Sequence, residues 1–296
     1  MRACVIFNPA ARGQKAERFR RSLGIIAAEC ELKLTAAAGD ARRFATIAIQ
    51  DGFDTIIAAG GDGTLNEVLN GIGDAPEGFA RVRLGVLPLG TINVFARELK
   101  IPTKPEAAWQ ILRRGKEMTI DLPRIEFNHG GKPQSIYFAQ LAGAGLDARA
   151  IQLVSWSLKK RLGPLAYVFA GLRAMRENHP TLSISDGVSQ FSGQLVLAGN
   201  GRLYGGNFHV FPQAALTDGL IEVCIFPRVN WLVLIRCGIS LLLTGKLPEN
   251  SVTRLRAESF ELTGPSSVWT EVDGELASPL PASFTILPAT LRVLVP

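Results

Sequence analysis

The run Gly60-Gly61-Asp62-Gly63-Thr64-Leu65-Asn66-Glu67 concentrates the chemistry of this chain. Glycines let a backbone approach a phosphate closely, and the first turn of a helix offers N–H groups at the positive end of its dipole. The apolar stretch Thr55-Ile56-Ile57-Ala58-Ala59 precedes the run, and the helix-like stretch Val68-Leu69-Asn70-Gly71-Ile72 follows it. A strand that runs into a glycine turn and then a helix is a phosphate-binding arrangement. Asp62 is the unusual member. A carboxylate repels phosphate unless Mg²⁺ or a proton donor lies between them, so the turn suggests kinase-type chemistry more than a simple nucleotide clamp. Taken alone, the run is also explained by a tight turn in which Asp62 caps the helix.

Such a turn needs a scaffold, and the first part of the chain alternates strand and helix. Ala3–Phe7, Glu31–Thr35, Asp54–Ala59 and Arg83–Leu87 read as strands. Helices are expected over Gln14–Cys30, over Asp40–Gln50 with Asp40 as N-cap, over Thr64–Ile72, and over Thr91–Leu99. This repeat implies an α/β domain, a Rossmann-like parallel sheet with helices on both faces. Ligands then bind at the carboxyl ends of the strands. Those ends carry Asn8-Pro9, Thr35, Gly60 to Thr64 and Pro88-Leu89-Gly90-Thr91, so four polar or glycine-rich turns converge on one edge.

Beyond Leu122 short alternating runs dominate, among them Arg124–Asn128, Ser135–Leu141, Gln190–Ala198, Leu220–Phe226, Arg254–Leu262 and Ser267–Val272. Turn residues such as Asp273-Gly274 separate them, the pattern of an antiparallel β-rich sandwich. Asp-Gly also favours a type I′ hairpin. Two helices interrupt the pattern, Asp147–Glu177, breakable at Gly163-Pro164, and Asn230–Leu243. Trp231–Leu243 reads more readily as a core helix than as one that dips into a membrane. Gly143-Ala144-Gly145-Leu146-Asp147 reads as a strand packed against a helix start, with Asp147 a candidate cap. The division expected is residues 1–122, which 288–296 could join, and residues 123–287.

The chain has 296 residues, 47% apolar and 20% charged, a globular rather than a disordered composition. A net charge of +6 fits partners that carry phosphate, but no nucleic-acid motif accompanies it, so nucleic acid is not expected as a partner. Cys4, Cys30, Cys224 and Cys237 form no C-x-x-C pair or metal spacing and fit buried thiols in a reducing cytoplasm. The N-terminal run is too short for a signal-peptide core. Trp231 to Gly245 is interrupted by Arg236 and falls below spanning length, which leaves a cytoplasmic protein with peripheral membrane contact open to it. Lys159-Lys160-Arg161 could touch anionic lipid or be a solvated helix face. An antiparallel edge strand could pair two copies into a homodimer.

Four motifs, in order, resemble the diacylglycerol kinase catalytic-domain family, soluble bacterial lipid kinases related to sphingosine kinases. They are Asn8-Pro9-Ala10-Ala11-Arg12-Gly13, Gly60 through Gly71, Pro88-Leu89-Gly90-Thr91-Ile92-Asn93 and Val272-Asp273-Gly274-Glu275. The second alone is shared with NAD kinases and loosely with phosphofructokinases. The resemblance spans essentially the whole chain. It implies an N-terminal nucleotide-binding α/β domain and a β-rich lipid-substrate domain, with ATP and lipid meeting in the cleft. The implied reaction is Mg²⁺-dependent transfer of the ATP γ-phosphoryl group to a lipid hydroxyl. By similarity Asn8, Pro9, Ala10, Ala11, Arg12, Thr35, Gly60, Gly61, Asp62, Gly63, Thr64, Leu65, Asn66, Glu67 and Thr91 would contact the nucleotide. Asp273 and Glu275 would stand at the acceptor, with Glu275 as proton acceptor.

Two positions depart from the family pattern. Val94 stands where relatives often carry Asp, and Thr217 replaces the first Asp of a segment that can hold a structural Mg²⁺ in relatives. Asp218 with the carbonyls of Ala215 and Leu220 could still bind a metal, or form a simple β-turn. These departures keep two other readings in view: a non-catalytic nucleotide- or lipid-binding regulator, and a kinase of a soluble acceptor resembling NAD kinase.

Overall fold

The computed structural model describes residues 2–9, 24, 26, 28–154 and 165–296. The chain divides into two units, Met1–Leu122 with Leu287–Pro296, and Pro123–Ile286.

In the first unit Ala3–Phe7 (β1), Glu31–Leu34 (β2), Thr55–Gly60 (β3) and Arg83–Pro88 (β4) form a parallel sheet in the order β2-β1-β3-β4. Strands β1 and β3 are buried along their whole length, as expected when helices cover both faces of a parallel sheet. The helices are Asp40–Gln50 (α1), Asp62–Asp74 (α2), Gly78–Arg81 (α3), Val94–Glu98 (α4) and Pro105–Arg114 (α5). Gly71 of α2 lies against α1, where a Cβ would meet the Arg42 carbonyl and come within 2.8 Å of the Ala45 methyl. The expected helix over Gln14–Cys30 lies largely outside the described residues; its end is marked by the Cys30 N–H donating to the Ile26 carbonyl at 2.9 Å.

Two helix starts differ from expectation. Asp40 is the first residue of α1 and Gly39, at φ 85°, is its cap. The Asp40 carboxylate instead accepts the N–H groups of Ala36 and Ala37 at 2.8 and 2.9 Å. Helix α4 starts at Val94 rather than Thr91, because Asn93 sits at φ 53° and closes a turn over residues 90–93.

The second unit begins within Glu117–His129 (β5) and is a sandwich of two antiparallel sheets. One contains Lys132–Tyr137 (β6), Leu182–Ser185 (β8), Gln190–Gly193 (β9) and Ser259–Thr263 (β15). The other runs β14-β13-β10-β7-β16-β17. Its strands are Thr253–Ala257 (β14), Ile221–Phe226 (β13), Leu195–Gly199 (β10), Leu141–Gly145 (β7), Trp269–Val272 (β16) and Glu275–Pro279 (β17). Period-two alternation sends Val196, Ala198, Val223 and Ile225 to the core between the sheets, where Phe260 and Phe284 stack with centroids 4.5 Å apart. Leu195, Leu197, Cys224 and Phe226 point to the opposite face. There they meet Leu146, Ala174 and Cys237 from the helices Leu146–Leu153 (α6), Leu165–Ala174 (α7) and Trp231–Thr244 (α8). Within the expected span Asp147–Glu177 the described residues are helical at α6 and α7, and the candidate break at Gly163-Pro164 lies outside the described residues. Short strands Leu203–Tyr204 (β11) and Phe208–His209 (β12) pair with each other.

The last strand, Ala282–Leu294 (β18), serves both units. Its start pairs antiparallel with β15, and Val293 pairs parallel with Leu84 of β4. The run Thr290–Val295 therefore returns to the first unit, where the buried Asp121 accepts the Ala289 N–H at 2.8 Å and the Lys116 carbonyl accepts the Val295 N–H at 2.9 Å. All four cysteines are free thiols, and burial pushes Cys4 and Cys224 up to about 12. Among the described residues no helix is long and apolar enough to cross a membrane.

Candidate functional site

The order β2-β1-β3 sends the chain to one side of β1 and then back to the other, so the carboxyl ends of β1 and β3 flank a topological switch point. Asn8 leaves β1 there. Its N–H donates to the Ala59 carbonyl at 3.0 Å, and its Nδ2 donates to Thr64 Oγ1 at 3.1 Å. The Thr35 N–H donates to the Phe7 carbonyl at 3.0 Å, which brings Thr35 to the same edge. Asn8, Thr35 and Thr64 are residues far apart in sequence that backbone pairing collects at one strand end.

Gly60 and Gly90 are sterically required. A Cβ on Gly60 would fall on the Thr64 side chain. The N–H groups of Leu89 and Gly90 both donate to the Gly60 carbonyl, at 2.8 and 3.2 Å. That pairing draws the second loop onto the first so closely that a Cβ on Gly90 would lie 2.5 Å from Gly61 Cα. Asn93 locks the loop: its Oδ1 accepts the Gly90 N–H at 3.0 Å and its Nδ2 donates to the Gly90 carbonyl at 2.7 Å. Thr91 at the tip is exposed. Val94, where a carboxylate would stand in many relatives, is buried as the first residue of α4.

Helix α2 starts at Asp62, with Gly61, which has no side chain to offer, in extended conformation as its N-cap. Asp62 is therefore not the helix cap. Its carboxylate stands in the first turn beside N–H groups and a dipole end that favour anions. The remaining residues of the run turn inward. Leu65 and Asn66 are buried, and Asn70 Nδ2 donates to the Asn66 carbonyl at 2.9 Å. Glu67 accepts the N–H groups of Gly39 and Ala41 at 3.0 and 3.1 Å, so it supplies from outside the cap that α1 lacks. Beside it, hydrogen bonding to Arg43 and to the backbone of Ala36 and Ala37 lowers the Asp40 carboxyl to about 2. Ala10, Ala11 and Arg12 lie outside the described residues, as do Lys159, Lys160 and Arg161.

In the second unit Asp273 and Gly274 form the two-residue turn between β16 and β17, at φ 49° and 86°. Two positive φ values are the signature of the expected type I′ hairpin. The two acids of the turn have different surroundings. The Asp273 carboxylate accepts three backbone N–H groups, from Ala139 at 2.8 Å, Gln140 at 2.9 Å and Leu141 at 3.2 Å. Glu275 is exposed at the start of β17. Asp273 thus fixes the turn to the entry of β7, and Glu275 follows it on the exposed start of β17.

Behind the turn lies a group of residues that sequence reasoning missed. Glu271 is fully buried, and its Oε2 accepts the Gly274 N–H at 2.8 Å. Asp147 does not cap α6, whose N-cap is Gly145; its Oδ1 accepts the Tyr204 hydroxyl at 2.7 Å. Gly143 pairs with Glu271 across the sheet, and a Cβ there would lie 2.8 Å from Asp147 Oδ2 and 2.9 Å from Glu271 Oε1. The missing side chain makes room for two carboxyl groups side by side. Burial, then the charge of Asp147, pushes the Glu271 carboxyl well above its ordinary range. Burial also raises Asp147, opposed by hydrogen bonds from Tyr204 and Glu271. Burial therefore favours the neutral form of Glu271, whose Oε1 lies with Asp147 Oδ2 over Gly143. The available signal was an acid inside the strand Trp269–Val272, opposite a glycine.

Two of the three groups expected to hold a metal around residue 218, Asp218 and the Ala215 carbonyl, have partners in the protein. Asp218 accepts the Leu220 N–H at 3.0 Å and is ion-paired with Arg256, while the Ala215 carbonyl accepts the Asp218 N–H at 3.4 Å. A guanidinium stands against the carboxylate where a cation was expected. Among the described residues no three His, Cys, Asp or Glu side chains cluster as a metal site.

Comparison with known proteins follows this geometry. Residues 2–125 match the model of the diacylglycerol kinase catalytic domain, and residues 140–295 match the YegS C-terminal NAD kinase beta sandwich-like domain. A protein of Xanthomonas campestris pv. campestris named "Probable lipid kinase YegS-like" is 31% identical over 289 residues, which cover 95% of this chain and 92% of that one. A diacylglycerol kinase of Staphylococcus saprophyticus is 30% identical over 308 residues, covering 100% of this chain and 95% of its own. A crystal structure of a diacylglycerol kinase from Bacillus anthracis str. Sterne superposes with a TM-score of 0.76 over 100% of this chain and 97% of that chain. At 21% identity that likeness establishes the shared two-part fold.

Proposed function

The chain belongs to the diacylglycerol kinase catalytic-domain family of lipid kinases, and we propose that it uses ATP and Mg²⁺ to phosphorylate the hydroxyl of a diacylglycerol-like or other long-chain lipid. In this reading residues 1–122 with 288–296 bind the nucleotide, and residues 123–287 receive the lipid. The enzyme works in the cytoplasm, in transient peripheral contact with a membrane.

One observation carries the reading: a helix start in a glycine cradle packed so closely that a Cβ at Gly60 or Gly90 would strike Thr64 or Gly61. Such a cradle fits a polyphosphate. Asn8, Thr35, Thr64 and Thr91 would offer polar groups to the nucleotide, as would Ala10, Ala11 and Arg12 from outside the described residues. Asp62 fits Mg²⁺, because a carboxylate among phosphate-binding N–H groups is tolerable only with a cation against it. When bound, Mg²⁺ neutralises charge on the phosphates.

The protein's own contribution is positioning and proton transfer. Phosphoryl transfer asks little covalent chemistry of the enzyme. The acceptor oxygen bonds to the γ-phosphorus as the bond from that phosphorus to the β–γ bridging oxygen breaks and ADP leaves, and Glu275 takes the proton of the acceptor hydroxyl. Asp273, bonded to three backbone amides, holds the turn that carries Glu275. Protonated Glu271 supports the same turn from behind through Gly274.

The test is transfer of labelled γ-phosphate from ATP to a mixed lipid extract in detergent micelles, in Mg²⁺ or EDTA, with NAD as a competing acceptor. Label in an organic-phase product that depends on Mg²⁺ is expected, and its mass identifies the lipid. Label appearing in NADP alone would replace this reading with a soluble-acceptor kinase.

A further inference from the structure

Helix α8 reads Trp231-Leu232-Val233-Leu234-Ile235-Arg236-Cys237-Gly238-Ile239-Ser240-Leu241-Leu242-Leu243-Thr244, with no acidic residue. Cys237 is buried, and Val233, Leu234 and Leu241 pack with it onto the face of the sandwich built from Leu195, Leu197 and Phe226. The helix thus has its core contact already. Its other side remains apolar: Leu232, Leu242 and Leu243 are 76%, 79% and 80% exposed, and Trp231, Ile235 and Ile239 are exposed beside them. Phe169 and Leu172 of α7 are exposed as well, on a helix whose Ala174 joins the same apolar cluster. A contiguous apolar surface of this kind marks an interaction site.

We infer that α8 is the element with which the protein docks on an anionic phospholipid bilayer, lying in the interface with its outer face among the acyl chains. The helix has 14 residues, so at 1.5 Å per residue it is about 21 Å long, too short to span but suited to lie along the surface. Charge selects the occupant. Arg228, Arg236 and Lys246 are exposed before, within and after the helix, and the chain as a whole carries +6. Long basic side chains can reach phosphate headgroups while their neighbours enter the apolar layer. A second copy fits less well. A two-fold axis on this face would bring like charges of the two helices together, with no acid on either helix to offset them. The inference rests on the lipid-kinase reading for its purpose, since an acceptor with long acyl chains resides in a bilayer.

Vesicle co-sedimentation without ATP tests it, using phosphatidylcholine alone and phosphatidylcholine mixed with phosphatidylglycerol. The wild type should bind the mixed vesicles more tightly. Leu232→Ser/Leu242→Ser/Leu243→Ser, checked for an unchanged melting temperature, should bind at least about tenfold more weakly, because interfacial affinity scales with buried apolar area. Trp231 emission should shift to the blue on vesicle addition, and the shift should vanish in Trp231→Phe. Equal binding by wild type and triple variant, or an unmoved Trp231 emission, overturns the inference. So does a wild-type dimer in light scattering that the triple variant converts to monomer while neither binds vesicles, which assigns the face to a second copy. The outcomes separate from those of the kinase reading. Vesicle binding through α8 without lipid phosphorylation in micelles sinks the kinase alone, whereas micelle phosphorylation with α8-independent vesicle binding sinks the docking alone.

Discussion

Replacing Glu271 with Gln should make the protein more stable as pH rises, an unusual outcome for a fully buried acid. The folded state holds Glu271 protonated, with its carboxyl raised above the ordinary 4.5 by burial and by Asp147. For an acid with a raised pKa the folded state binds the extra proton. The stabilisation is fully present below the unfolded value and is lost as pH climbs toward the folded one. Each pH unit in that window costs the wild type about 1.4 kcal/mol relative to a variant with nothing to titrate. Gln imitates the protonated acid: its oxygen can accept the Gly274 N–H and its Nε2 can donate to Asp147, which also accepts the Tyr204 hydroxyl. The difference in unfolding free energy, Glu271→Gln minus wild type, should therefore grow steadily as pH rises above the ordinary carboxylate range, read from urea titrations. Glu271→Ala should lose stability throughout. It strands the Gly274 N–H and the Asp147 carboxylate at about 1–3 kcal/mol each and leaves a cavity besides. A pH-independent difference between Gln and wild type, or equal losses for Gln and Ala, would refute a protonated Glu271.

Two further substitutions test the geometry. Gly90→Ala places a Cβ 2.5 Å from the Gly61 backbone, which has no flexible end to yield. It should cost about 1–3 kcal/mol of stability by overpacking. In isothermal titration it should weaken ATP binding by about tenfold, equivalent to ~1.4 kcal/mol. At Asp218 the carboxylate expected to hold a cation is ion-paired with Arg256. Chelation of divalent ions should leave the melting temperature of the nucleotide-free protein unchanged. Arg256→Ala should lower stability by about 1 kcal/mol or less, the scale of a partly exposed pair, and added Mg²⁺ should not restore it.

The parts legible in sequence are those set by local stereochemistry. The run from Gly60 to Thr64, the Asp273-Gly274 hairpin and the buried strands β1 and β3 each state their backbone requirement in neighbouring residues. Parts that depend on distant partners were not legible. Asp40 resembles a cap, yet Glu67 reaches across from α2 to do the capping. Glu271 carries no local sign that Asp147 and Tyr204, far away in the chain, will lie near it. The extent of α4 depends on Asn93 bonding both ways to Gly90. Helix α8 is apolar on more than one side, so periodicity cannot tell which the sandwich will cover; one apolar side packs into the core as expected and the other is exposed. The match of Asn8 with Thr64 and Thr35 at one strand end needed only the parallel β-α order, and that order was readable.

The account rests on Glu275 receiving the proton of a lipid hydroxyl as ATP is consumed. The direct measurement is single-turnover transfer of γ-phosphate to the lipid identified in micelles, comparing wild type with Glu275→Ala, with ATP affinity measured separately by titration. Loss of a general base should slow transfer by about 10²–10⁴-fold while ATP affinity stays unchanged, whereas Asp62→Ala should weaken the Mg²⁺-dependent binding of ATP. A Glu275→Ala enzyme that transfers phosphate at the wild-type rate would contradict the account.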